Sequence, residues 1–184
     1  MNSIHLKKLH LLILFLGLSI SYNLNAQVGG WQPELTEDSK KALDKMVETN
    51  SGIESYHKSA YGYVVFPKVT KAGLVLGGAG GKGIVYENHE VTGSSTLKQA
   101  SVGLQAGGQQ YSEIIFFENK KAYKHFINGK LKFDAQVSAV AIKPGVSLDV
   151  AYVNGVAVFT QPIGGLMFEA SVGGQHFTYK DKAK

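Results

Sequence analysis

An α+β fold dominated by antiparallel strands, curling into a barrel-like or sandwich core, is what the amino-acid sequence predicts. Three observations carry this. Beyond Tyr61 the apolar residues recur with a period near two rather than 3.6. Glycine is abundant, with 22 copies, half of them between Gly62 and Gly108, which suits close-packed strands better than a helix bundle. A few stretches keep helical spacing before and within the strand-rich part, giving one or two N-terminal helices and one inserted helix.

The first segment reads as a signal peptide over residues 1–26. Lys7 and Lys8 precede the apolar run Leu9 to Ile20, and Ala26 supplies a small residue for cleavage. The run is too short to span a bilayer comfortably. Export to the periplasm, the outer membrane or the exterior is therefore expected. Residues 27–35 read as a flexible leader, and residues 36–184 as one domain, with no linker inside it.

A helix is expected from Thr36, where Glu37 and Asp38 fall in the first turn and Ala42, Leu43, Met46 and Val47 share one face. Its polar face mixes acids with lysines, so it is expected to pack on the core rather than lie in a membrane interface. Asn50-Ser51-Gly52 ends it, and a short second helix can run through Ile53 and Tyr56. Tyr61 to Phe66 reads as a strand stopped by Pro67. Leu74 to Leu76, Ile84 to Tyr86, the alternation around Val102, Leu104 and Ala106, and the apolar run Ile114 to Phe117 continue the pattern. Asn119 can cap a helix whose one side carries Ala122, Tyr123 and Phe126 and which Gly129 can close.

Val146, Leu148, Val150 and Tyr152 alternate with less apolar residues. Asn154-Gly155 then predicts a tight hairpin into Val156 to Thr160, because both turn residues must take positive φ. Leu166 to Val172 and Gln175 to Tyr179 read as a last pair joined at Gly173-Gly174. Core candidates are Val64, Phe66, Leu104, Ile115, Phe117, Leu148, Val150, Val158, Phe168 and Val172.

The charge pattern narrows the chemistry. The formal net charge is +5, and all 19 basic residues are lysines. Loss of Lys7 and Lys8 with the leading segment leaves +3. Lysine is a point charge without the planar fork of arginine, so diffuse attraction to anions is expected, not base reading; no nucleic-acid partner is inferred. Cysteine is absent, which removes thiolate metal sites and an acylated-cysteine anchor. His57, His89, His125 and His176 show no paired ligand spacing, so no metal is assigned.

Gly78, Gly80 and Gly83 satisfy G-x-G-x-x-G. A nucleotide site needs a helix to begin there, whereas Ile84-Val85-Tyr86 is strand-like, and Gly81-Lys82 is followed by Gly83 rather than Ser or Thr. A glycine-rich turn is the favoured reading. Lys68, Lys71 and Lys82 flank it, and the backbone at Gly80 and Gly81 can approach an anion. Lys120, Lys121 and Lys124 form a competing basic patch on the inserted helix. Asp134, Asp149 and Glu169 fall in strand-like patterns and are the carboxylates a hydrolase could pair across strands; no nucleophile motif accompanies them. The chain is therefore expected to be no enzyme and to need no cofactor.

The stretch GYVVFPKVTKAGLVLGGAGGKG, from Gly62 to Gly83, resembles the opening signature of the SYLF domain family. GLQAGGQQYSEIIFF, from Gly103 to Phe117, and the stretch from Asn154 to Tyr179 are similar to its exported bacterial branch, in the same order. The resemblance covers roughly residues 36 to 180. It implies binding to phospholipid headgroups, including phosphatidylinositol phosphates in eukaryotic members, and actin binding in some fungal ones. For an exported bacterial chain the implied partner is anionic phospholipid or another envelope amphiphile at a membrane surface. A structural or protein-interaction module of the cell envelope is the alternative, and a hydrolase comes third.

Overall fold

A computed structural model describes residues 33–73, 76–102, 107–131, 133, 138–164 and 172–182. The segment expected to be a signal peptide, most of the expected leader, Leu104, Ala106, Asp134, Phe168, Glu169 and the strand expected over 166–171 lie outside the described residues. The described elements follow in chain order: α1 (Pro33–Thr49), α2 (Gly52–Ser59), β1 (Gly62–Gly73), β2 (Leu76–Glu87), β3 (Glu90–Val102), β4 (Gly107–Phe117), α3 (Lys120–Ile127), β5 (Ala139–Ala141), β6 (Val156–Pro162) and β7 (Gln175–Asp181). The α+β class is as the sequence predicts.

The helices begin where local chemistry favours it. α1 opens at Pro33, inside the stretch expected to be leader, because a proline at the first helical position has its φ preset and no donor to lose. Asn119 caps α3, its Oδ1 accepting from the backbone N–H groups of Lys121 and Ala122, both at 3.1 Å.

All seven strands share one sheet in the order β5-β6-β4-β1-β2-β3-β7. Every pairing is antiparallel except β5 with β6. The sheet is open among the described residues, with β5 and β7 at its edges, yet it is strongly curled. Neighbouring strands stand about 4.8 Å apart, so a flat sheet would hold β4 and β7 about 19 Å apart. Instead the Gln175 side chain donates to Glu113 at 3.0 Å. Phe66 of β1 likewise meets Phe177 of β7, with ring centroids 5.9 Å apart. The barrel-like core is thus a deep trough closed by side chains rather than by a continuous backbone ladder.

Alternation along the strands builds two cores. The trough interior holds Val64, Phe66, Leu97, Ile115, Phe117 and Phe177, covered by Tyr123 and Phe126 of α3. The outer face holds Tyr63, Val65, Ile84, Ile114, Phe116 and Phe159 under Leu43 and Met46 of α1 and Ile53 and Tyr56 of α2. α1 therefore packs on the sheet, and the Ser39 hydroxyl donates to the Val65 carbonyl at 3.3 Å. Among the described residues, no helix is long and apolar enough to cross a membrane.

Two local expectations are corrected. Pro67 does not stop β1. The strand continues to Gly73 through a bulge, visible as register shifts against both neighbours between 65 and 69. A bulge spares Pro67 the ladder donor it lacks, and the Ser112 hydroxyl donates to its carbonyl at 2.8 Å. The segment 146–152 is not a strand. Asn154 and Gly155 do take positive φ, 55° and 77°, but the turn holds only the bridge Val153 to Val156. Upstream, Leu148, Val150 and Tyr152 pack towards the helices, and the Tyr56 hydroxyl, not a strand, serves the backbone of Val150, donating to its O at 2.9 Å and accepting from its N–H at 2.8 Å.

Candidate functional site: a lysine-bearing sheet face

The glycine-rich stretch is not a turn. Gly78, Gly80, Gly81 and Gly83 all lie inside β2, paired with β1 on one side and β3 on the other. Their backbone N–H groups serve the sheet, so bare amides are not offered to an anion there. The glycines divide by face. A Cβ at Gly83 would come within 2.5 Å of the Val65 carbonyl and 2.7 Å of the Phe66 ring, so glycine is needed for packing. At Gly80 the nearest atom would be the Leu97 carbonyl, at an ordinary 3.7 Å.

Register also divides the sequence-selected lysines. Lys68 pairs with Lys82, and Thr70 with Gly80, so Lys68, Gly80 and Lys82 share the outer face. Lys71 and Gly81 alternate with them, on the side where Val69 enters the trough core. The sequence reading missed a third outer cation: Lys98 of β3 stands opposite Gly80, and His176 of β7 opposite Lys98. Lys68, Lys82, Lys98 and His176 are all exposed. Lys120, Lys121 and Lys124 are exposed on α3, which covers the trough, not this face.

Like charges directly opposite on a sheet repel. Lys68 and Lys82 adopt that arrangement with no salt bridge to either among the described residues; the ion pairs found there, Lys40–Asp44, Lys41–Glu37 and Lys58–Glu54, all lie on α1 or α2. The strand residues sharing the lysines' outer stretch include Thr70, Gln110, Thr96 and Thr178 and no carboxylate. The result is a cationic area of one sign on a rigid sheet.

Of the carboxylates weighed from sequence, Asp149 is exposed, and Asp134 and Glu169 lie outside the described residues. Among the described residues the buried acid is Glu113, which alternation places in the trough with Tyr111 and Ile115. Burial raises it from 4.5 to about 7, opposed by the Gln175 hydrogen bond. Its Oε1 and the hydroxyl of Thr160, its cross-strand neighbour, have no hydrogen-bond partner. The signal for it was available in Tyr111-Ser112-Glu113-Ile114-Ile115, where an acid occupies an inward position.

A curled, mostly antiparallel sheet with α-helices on its outer face, and beside them a lysine tract without ion pairs among the described residues, defines an α+β protein. Residues 98–183 match the model of the Ysc84 family, described as Las17-binding protein actin regulator. Over that region, a little under half of the chain, the sequence is similar to that family. The chain is also similar to Beta cell expansion factor A of Aeromonas veronii, 27% identical over 156 residues, covering 79% of this chain and 59% of that relative. The chain thus spans well under two thirds of that relative's length.

Proposed function

We propose that the exported chain binds anionic phospholipid or a related envelope amphiphile at a membrane surface, without catalysis and without a cofactor. The observation that carries this reading is the Lys68–Lys82 pair, cross-strand neighbours of like charge, extended by Lys98 one strand away. Folding alone does not explain that arrangement, because it costs the sheet electrostatic energy; an anionic surface recovers it. Each lysine near an acidic membrane is worth about 1 kcal/mol. Three give about 3 kcal/mol, roughly a hundredfold in affinity, with steep loss as salt is added. Gly80 leaves the floor between the lysines bare, so a headgroup can approach the sheet.

Co-sedimentation with neutral and acidic phosphatidylcholine–phosphatidylglycerol vesicles over a salt series tests it. Binding is expected only to acidic vesicles and should fade with salt. Equal and negligible sedimentation throughout removes the reading.

A second reading is a protein-interaction module. β7 is an edge strand whose outer side has no strand neighbour among the described residues, and the family description itself names a protein partner. Crosslinked partners that persist at high salt and without lipid would favour it.

A further inference from the structure

On the same outer face, at the opposite end of β1 and β2 from the lysines, lies a cavity of about 700 Å³. α1 forms one wall, through Pro33, Thr36 and Leu43 and the charged Glu37, Lys40 and Asp44; His57 of α2, Tyr63 of β1, Tyr86 of β2 and His89 form the rest. We infer that this cavity is a binding site for an uncharged aromatic small molecule bearing a hydroxyl or carbonyl group.

Four features of the lining carry this. His89 follows Asn88 in the two-residue turn joining β2 and β3, where Glu87 pairs with Glu90. Both turn residues take positive φ, 50° and 67°, and glycine is the usual occupant of the second place. The strained histidine sets its ring edge-on to His57, centroids 4.9 Å apart, and 6.0 Å from Tyr63. Tyr63 and Tyr86 stack at 4.6 Å and 14°, giving a flat aromatic wall. The His57 Nε2 and the Tyr63 hydroxyl lie 3.1 Å apart. The Thr36 hydroxyl is buried and has no hydrogen-bond partner.

Charge decides the class of ligand. Lys40 is already paired with Asp44 at 2.8 Å, and Glu37 with Lys41 at 2.6 Å. Burial, and secondarily His89, hold His57 below the usual imidazole value of 6.5. The three charged side chains of the lining, Glu37, Lys40 and Asp44, are each engaged in an ion pair, so the groups left for a guest are neutral donors and acceptors around an apolar body, which suits an uncharged guest and disfavours an anionic one. No group of three or more His, Cys, Asp or Glu side chains able to hold a metal is found among the described residues.

Titration calorimetry of the chain with 2-naphthol and with naphthalene-2-sulfonate tests the inference. Saturable one-to-one binding of 2-naphthol is expected, with the sulfonate about tenfold weaker or worse. His89→Gly supplies the residue the turn prefers, so it should keep or raise the thermal midpoint while weakening 2-naphthol about tenfold. Thr36→Val should weaken it in the same direction. Lys68→Ser with Lys82→Ser should leave it unchanged, which separates this site from the membrane-binding face. Absence of saturable 2-naphthol binding, tighter binding of the sulfonate, or unaltered affinity in His89→Gly and Thr36→Val would each overturn it.

Discussion

The Gln175 amide reaches the Glu113 carboxylate at 3.0 Å although their strands, β7 and β4, stand four positions apart in the sheet. Both residues are buried, so this contact bridges the two sides of the trough from within.

Burial of Glu113, against which that hydrogen bond works, makes stability depend on pH in a defined direction. Glu113 has a folded value of about 7 against an ordinary 4.5, so between these the native chain holds a proton that the unfolded chain has lost. Stability contributed by the neutral acid is complete below 4.5 and falls as pH rises to about 7, by roughly 3 kcal/mol at most. Glu113→Gln keeps an acceptor for Gln175 and carries no charge. It should raise the thermal midpoint above neutrality and flatten this part of the profile. His57 acts oppositely, losing stability as pH falls below its usual 6.5, so the wild-type minus Glu113→Gln difference isolates the carboxylate. An unchanged profile in the variant would refute the assignment.

Gly80 and Gly83 belong to one sequence motif and should behave differently. Gly83→Ala pushes a methyl group against the Val65 carbonyl and the Phe66 ring. A loss of about 2 kcal/mol or more is expected by denaturant unfolding. Gly80→Ala meets nothing closer than 3.7 Å and should change stability by less than about 1 kcal/mol.

Removing like charges should stabilise the sheet and weaken acidic-vesicle binding together. Lys68→Ser with Lys82→Ser is expected to lower co-sedimentation about tenfold or more, with the thermal midpoint unchanged or higher. The triple change of Lys120, Lys121 and Lys124 to Ser, on α3, should have a much smaller effect. The reverse ranking would move the binding surface to the helix.

Tyr56→Phe removes the hydroxyl that both donates to and accepts from the Val150 backbone. A cost of about 1–3 kcal/mol is expected, because two part-buried backbone groups lose their partner. Hydrogen exchange at the Val150 amide should accelerate in the variant while that of β4 holds.

The general architecture was legible because its signals are local. Asn119 announced α3, apolar runs marked parts of β1, β2 and β4 while most of β3 went unread, and Asn154-Gly155 marked a turn with both φ values positive. The misreadings came where a tertiary neighbour replaced a local one. Alternation from Val146 to Tyr152 is real, yet the Tyr56 phenol stands where a strand was expected. Pro67 looked like a terminus because sequence does not show a bulge shared with two neighbours. At the candidate site, only register separates Lys71 from Lys68 and Lys82, but all three were legible as basic residues beside glycines. Lys98 was not, because it comes from β3, and only register placed it opposite Gly80. His57 and His89 are 32 positions apart and share no motif; the turn geometry that joins them exists only in three dimensions.

The two sides of β2 answer to separate selective pressures. Gly83 is fixed by the space behind it, whereas residues 68, 82 and 98 are free to drift without harming the scaffold. A homologue can therefore preserve the glycine signature intact and yet have exchanged its lysines for neutral or acidic residues. On the proposed reading such a chain would adopt the same trough and lose its attraction to acidic lipid, so residues 68, 82 and 98, rather than the glycines, should track lipid binding among relatives.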